Sequence, residues 1–328
     1  MSQLLSTLRC WSAPIAVLAV SLATAPALAQ QYPTRALRIV VGFAPGGSTD
    51  VLARIMGQRL AESLGQPVII ENRPAAGGTV ASDIVAKAQP DGYTLLLGSV
   101  GTMVFAPALY PKLPYDAMRD FEHIGLWVTF PLALVVPASS PATNIRMLVE
   151  QARAKPGTLR YGSQGIGASA HIFAEMMNHM ARIKVVHVPY KGGAPALTGV
   201  LVGEVDYGLM AVSTALTQVG GGKIRVLGVT SATPSAMLPN VPPIASVVPG
   251  YEALNWHGIE APAKTPKAIV AKLYEESAKI ARRPDMHEKL HALSMDVDLR
   301  PSDAYRAFIR TEIGRWAPVI KASGARVE

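Results

Sequence analysis

Two Gly- and Ser-rich turns hold the groups with which this chain could grip an anion: Phe43-Ala-Pro-Gly-Gly-Ser-Thr-Asp50 and Ser163-Gln-Gly-Ile-Gly-Ala-Ser-Ala-His171. In the first, Leu37 to Gly42 is rich in β-branched and apolar residues and reads as a buried strand, which Pro45-Gly46-Gly47 breaks. Ser48 or Thr49 then caps a helix, and Asp50 sits in its first turn, where the helix dipole favours an acid. Such a strand, turn and helix start leaves backbone N–H groups unpaired, which suits a carboxylate or a phosphate. The second turn repeats the pattern: Gly165 and Gly167 let the backbone approach a ligand, Ser163 and Ser169 offer hydroxyls, and His171 lies on the first turn of the following helix. Ser99, after Leu97-Gly98, marks a third strand end that could face the same space.

Other chemistry finds less support. Gly165-x-Gly167-x-x-Ala170 fits a loose dinucleotide fingerprint, but the next strand ends in Val188-Pro189-Tyr190-Lys191, without the acid expected about 20 residues on. His179, His187, His257, His287 and His291 lack metal-ligand spacing beside a carboxylate. No Gly-x-Ser-x-Gly elbow occurs, and no His and acid pair with Ser48, Ser99 or Ser163 from sequence alone. A hydrolase using a turn serine is the rival class; it needs a base within hydrogen-bond reach of Ser48 or Ser163. Neither a cofactor nor a metal is implied.

The elements that must position the turns alternate along the chain. Strands are expected at 37–42, 67–70, 93–98, 132–136, 159–162, 184–188, 205–210 and 224–230. Helices are expected at 49–64, 77–87, 144–155, 168–180, 193–202, 266–281, 285–293 and 302–322. The alternation implies an α/β protein with largely parallel sheets and helices on both faces. Crossovers near Phe130-Pro131 and Leu254-Asn255-Trp256 divide it into one lobe of 30–131 plus 256–328 and a second of 132–255, with the ligand cleft between them. Trp127 and Trp256, near the crossovers, either line that cleft or pack the hinge.

Residues 1–29 read as a secretory signal peptide: Arg9, an apolar run from Ala13 to Ala23 too short to span a bilayer, and Ala27-Leu28-Ala29 before a cut at Ala29/Gln30. The single cysteine, Cys10, leaves with it, so the mature chain has no thiol chemistry. The formal charge is +8 with basic residues scattered, which argues against nucleic acid.

Several blocks occur in the order of one family: Tyr32-Pro-Thr-Arg35, Phe43 to Asp50, Glu71-Asn-Arg-Pro74, Pro90-Asp-Gly-Tyr-Thr94, Pro107-Ala-Leu-Tyr110, Leu113-Pro-Tyr-Asp116, Tyr161-Gly-Ser163, His187-Val-Pro-Tyr-Lys-Gly192 and Leu238-Pro-Asn-Val-Pro242. Over essentially all of the mature chain it resembles the Bug receptors, the substrate-binding proteins of tripartite tricarboxylate transporters. The resemblance implies a periplasmic, two-lobed Venus-flytrap protein of type II-like fold, a monomer and not an enzyme, that closes on a small carboxylate. Transporter subunits or a sensor protein are the implied partners. It also implies a grip by main-chain groups, hydroxyls and waters, carried by position to Phe43, Gly46, Gly47, Ser48, Thr49 and Asp50 and to Ser163, Gly165, Gly167, Ser169 and His171. Two departures bear on specificity: Met210-Ala211 stands where the family commonly has Asp-Asn, which favours a less polar acid, and His257 stands where an aromatic is frequent and either meets a second carboxylate or a ring substituent or merely replaces the aromatic in packing.

Overall fold

Runs of β-branched and aliphatic residues bounded by Gly and Pro become strands stacked into two sheets. The computed structural model describes residues 32–326; the signal peptide expected over 1–29, with its Cys10, lies outside the described residues. The chain first lays down β1 (Leu37–Val41), β2 (Val68–Asn72), β3 (Thr94–Ser99) and β4 (Phe121–Phe130). It crosses at Pro131 into a second sheet of β5 (Leu132–Pro137), β6 (Arg160–Ser163), β7 (Val186–Pro189), β8 (Tyr207–Ala211) and β9 (Ile224–Val229). It then returns to the first sheet with β10 (Asn255–Pro262) and β11 (Asp296–Pro301).

The sheet orders are β11-β4-β10-β3-β1-β2 and β7-β6-β8-β5-β9. β1 pairs in parallel with β2 and β3, and β6 with β7 and β8. The returning strand β10 is antiparallel to β3 and β4, β11 is antiparallel to β4, and β5 is antiparallel to β8 and β9. Each sheet therefore keeps most strands in one direction, with β10 and β11 reversed in the first and β5 in the second.

The helices are α1 (Ser48–Leu64), α2 (Thr79–Ala86), α3 (Ala106–Leu109), α4 (Ile145–Ala154), α5 (Ser169–Ala181), α6 (Gly193–Leu201), α7 (Val212–Gly220), α8 (Lys267–Ala281), α9 (Pro284–Ala292) and α10 (Ser302–Ser323); a π-turn, Gly101–Phe105, leads into α3. The eight expected strands and eight expected helices all form, with ends shifted by a residue or two. Missing from the sequence reading are β4, β10, β11, α7 and the π-turn with α3.

The core does not stop at the boundary between the sheets. Phe105 of the π-turn, Phe173 of α5 and Trp316 of α10 pack together, with ring centroids 6.1, 5.3 and 5.2 Å apart, and all three are fully buried. Helix α10 thus lies against β4 of the first sheet and α5 of the second half. Trp127 and Trp256 are fully buried too; Trp256 packs edge-on to Tyr305 and Phe308. Of the two roles considered for these indoles, neither lines the cleft and both pack the core.

Candidate functional site

Between the sheets lies a cleft of about 660 Å³. Its walls come from the C-terminal ends of β1, β3, β6 and β8 and from the first turns of α1, α5, α6 and α7. The N-cap positions of those four helices are Gly47, Ala168, Gly192 and Ala211, and none makes a side-chain cap hydrogen bond. In α4, by contrast, Asn144 accepts from the Met147 amide. The first intrahelical bond of α1 runs from the Val51 N–H to the Gly47 carbonyl, and that of α5 from Ile172 to Ala168. The amides of Ser48, Thr49, Ser169 and Ala170 thus precede the helical ladders and have no intrahelical acceptor. None of the residues lining the cleft is charged: the polar side chains are Ser48, Thr49, Ser99, Gln164, Ser169, Thr214, Asn255 and His257, with the Tyr110 hydroxyl at the rim. An anion here would meet helix dipoles and neutral donors from both halves, not a cation.

The first turn is held from behind. Asp50 is 2% exposed and accepts hydrogen bonds from the Gly46 amide, Arg54 Nε and Asn72 Nδ2, each 2.9 Å long; Asn72 Nδ2 also donates to the Phe43 carbonyl at 3.0 Å. Burial alone would raise the Asp50 carboxyl, but these bonds, Arg54 foremost, outweigh it and hold it below the usual range. Asp50 and Gly46 therefore shape the turn and do not line the cleft, whereas Phe43, Gly47, Ser48 and Thr49 do. The Asp50 carboxylate repels an anion and is already saturated by donors, which accounts for its orientation away from the space.

His257 does face the cleft, though it is nearly buried. Its Nδ1–H donates to the Gly98 carbonyl at 3.2 Å, which leaves Nε2 as an acceptor for the Thr49 hydroxyl at 3.1 Å. Burial pushes the imidazole down to about 4, so it is neutral at physiological pH. It therefore orients Thr49 and supplies no charge. Ser99 lines the cleft beside it and ties its hydroxyl to Thr102.

The second turn is braced by two imidazoles. His171 Nδ1 accepts from the Gly167 amide at 3.0 Å, and its ring stacks on His187 with centroids 3.9 Å apart. His187 Nε2 lies 2.7 Å from the Ser163 hydroxyl, which bonds the Gly165 carbonyl and amide. Burial, and for His171 the neighbouring His187, pushes the two rings down to about 3 and about 4. Ser163 and His171 are buried behind the turn, whereas Gly165, Gly167 and Ser169 line the cleft. A serine relay is not assembled: Ser163 is 1% exposed, and among the described residues no carboxylate bonds His187. His187 lies on β7, the strand paired with β6, 24 residues from Ser163, and the sequence carries no signal for their contact.

The sequence profile of the tripartite tricarboxylate transporter family receptor (TctC) matches residues 52–325. The chain belongs to this family of receptors. Solved structures agree over nearly the whole described chain. The R. palustris protein Rpa4515 with adipate has a TM-score of 0.82 and 33% identity over 90% of this chain and 100% of that one. The periplasmic binding protein BugD has a TM-score of 0.78 and 33% identity, covering 90% and 100%. MatC from Rhodopseudomonas palustris with bound malate has a TM-score of 0.77 and 32% identity, covering 88% and 100%. The fold is thus the two-lobed one of periplasmic binding proteins.

In this TctC receptor the specificity positions part company. Ala211 lines both the cleft and an adjoining cavity, while Met210 lines only that cavity, with Leu197, Val200 and Leu209. Sequence reading also missed Leu109, Tyr110, Gln164, Ile166, Thr214 and Asn255 on the cleft wall. Gln164 and Ile166 sit between residues already named and were within reach; Leu109 and Tyr110 depend on the π-turn, which has no sequence mark.

Proposed function

We propose that this receptor captures a small carboxylate in the periplasm by closing its two halves on it, and binds it without turning it over. The observation that carries the reading is the convergence of uncapped helix N-termini from both halves on a cleft with no charged wall residue. One carboxylate takes the amides of Ser48 and Thr49 with the Ser48 hydroxyl; the α5 start, with Ser169 and the backbone at Gly165 and Gly167, closes over it. Family membership and the adipate- and malate-bound relatives support the ligand class. The moving bodies are 30–131 with 256–328, and 132–255. The buried contact of Phe105, Phe173 and Trp316 joins them on one side, so opening is a rotation about that contact. A ligand that touches both halves favours the closed state by its extra contacts there. The segment 1–29 directs export, and the closed form is offered to transporter subunits or to a sensor.

Isothermal titration of the mature protein, unfolded and refolded to strip carried-over ligand, against mono-, di- and aromatic carboxylates tests the reading. Saturable binding of at least one acid is expected. No heat and no thermal shift with any of them would reject a carboxylate ligand.

A further inference from the structure

Beside the cleft is a second cavity of about 290 Å³, between α6 and the strands β6 and β8. It shares Gln164, Gly193, Ala211 and Thr214 with the cleft, so the two spaces adjoin along that wall. Leu197, Val200, Leu209 and Met210 supply much of the remaining surface, and no charged residue lines it. Its floor is cut by paired glycines: Gly162 of β6 lies opposite Gly208 of β8 in the parallel register. Side chains at those positions would occupy space between sheet and helix, since a Cβ at Gly208 would come 3.1 Å from Val200. We propose that this cavity is a second subsite, which receives the distal apolar part of the ligand while the helix N-termini hold its carboxylate. The proposal rests on the carboxylate reading of the cleft.

The chemistry selects the ligand class. A second carboxylate entering the cavity would lose its hydration against Leu, Val and Met side chains, with only Gln164 and Thr214 as polar side chains and no cation to offset the loss. A methylene chain or an aromatic ring gains by leaving water. An apolar cavity of about 150 Å³ already accommodates benzene, so this one has room for a six-carbon tail or ring. The receptor therefore selects monocarboxylates with an apolar tail over short acids and over dicarboxylates of the same length.

Titration of the stripped mature protein with butyrate, hexanoate and adipate tests this. Hexanoate is expected to bind roughly 16-fold tighter than butyrate, about fourfold for each of its two added methylenes, and tighter than adipate. Ala196 lines the cavity but not the cleft and is only partly buried. Ala196→Phe should remove the hexanoate advantage and leave butyrate within about twofold. Leu197→Glu, from the same helix, should weaken hexanoate and spare butyrate, which covers the case in which the first variant folds poorly. Equal affinities for butyrate and hexanoate, adipate binding as tightly as hexanoate, or variants that weaken both monocarboxylates alike would each overturn the subsite while leaving the cleft reading intact. No binding of any of the three acids overturns the subsite as well, and the cleft reading is then decided separately by the wider acid panel.

Discussion

Asp50 and Ser48 sit two residues apart on one turn and do different work. Ser48 faces the cleft, while Asp50 ties Gly46, Arg54 and Asn72 together behind it. Ser48→Ala is expected to weaken acid binding by about 1 kcal/mol, the net worth of one hydrogen bond, with the urea midpoint unchanged. Asp50→Ala is expected to lower both binding and stability, the latter by about 1–3 kcal/mol, because buried donors lose their acceptor. Titration and urea unfolding on the same two proteins separate the roles; a stability loss in Ser48→Ala, or none in Asp50→Ala, would contradict them. Gly167→Val should abolish binding, since φ is +79° and a Cβ would lie 2.7 Å from Leu109 across the cleft; undiminished affinity would remove the second turn from the site. Residue types and spacing made both turns legible, because Gly and Ser runs at a strand end have few other uses. Which members face the ligand was not legible, because it depends on partners such as Asn72 and His187 that are distant in sequence.

Elements with even apolar runs were readable; those with polar residues indoors were not. β10 carries Asn255, His257 and Glu260 yet lies between β4 and β3, and β4 carries His123 and Gly125. Their polar content hides them from a hydrophobic-run reading, although nearly every residue of both strands is buried. Gly258 is required because any Cβ there would run into the Tyr305 ring. Glu260 is fully buried and accepts from the Tyr305 hydroxyl at 2.5 Å; burial pushes its carboxyl up to about 8. The folded protein thus keeps a proton on Glu260 that the unfolded chain releases above its ordinary range, so the folded state binds more protons between about 4.5 and 8. Stability must fall as pH rises through that window, by up to about 1.4 kcal/mol per unit. His123, His171, His187 and His257 act in the opposite sense: burial lowers each, so they cost stability as pH falls below 6.5. Urea midpoints of wild type and Glu260→Gln at pH 6, 7 and 8 check this. The wild-type midpoint should decline relative to the variant; parallel curves would mean that Glu260 is ionised in the fold.

At the scale of the molecule, the alternation of strands and helices and the two crossovers carried the α/β architecture, and the motif order carried the family. The joint between the halves was not readable, because Phe105, Phe173 and Trp316 come together from three distant segments, one of them beside a π-turn. That joint has a mechanical consequence. Closure around a ligand needs halves that move, yet a shared buried core resists their separation, so the halves should unfold as one unit even though each has its own sheet. Trp127 and Trp256 lie on strands of the first sheet and Trp316 on α10 of the same half, so tryptophan fluorescence follows that half and its joint while far-UV circular dichroism follows the whole chain. In wild type the two urea transitions should coincide. Phe173→Ala removes the second half's contribution to the joint; it should cost about 3–5 kcal/mol, the usual loss for truncating a buried phenylalanine, and should pull the two midpoints apart. If the variant keeps coincident transitions, the halves are coupled through the crossovers at Pro131 and Ala253–Asn255 instead, and the joint is only a well-packed contact.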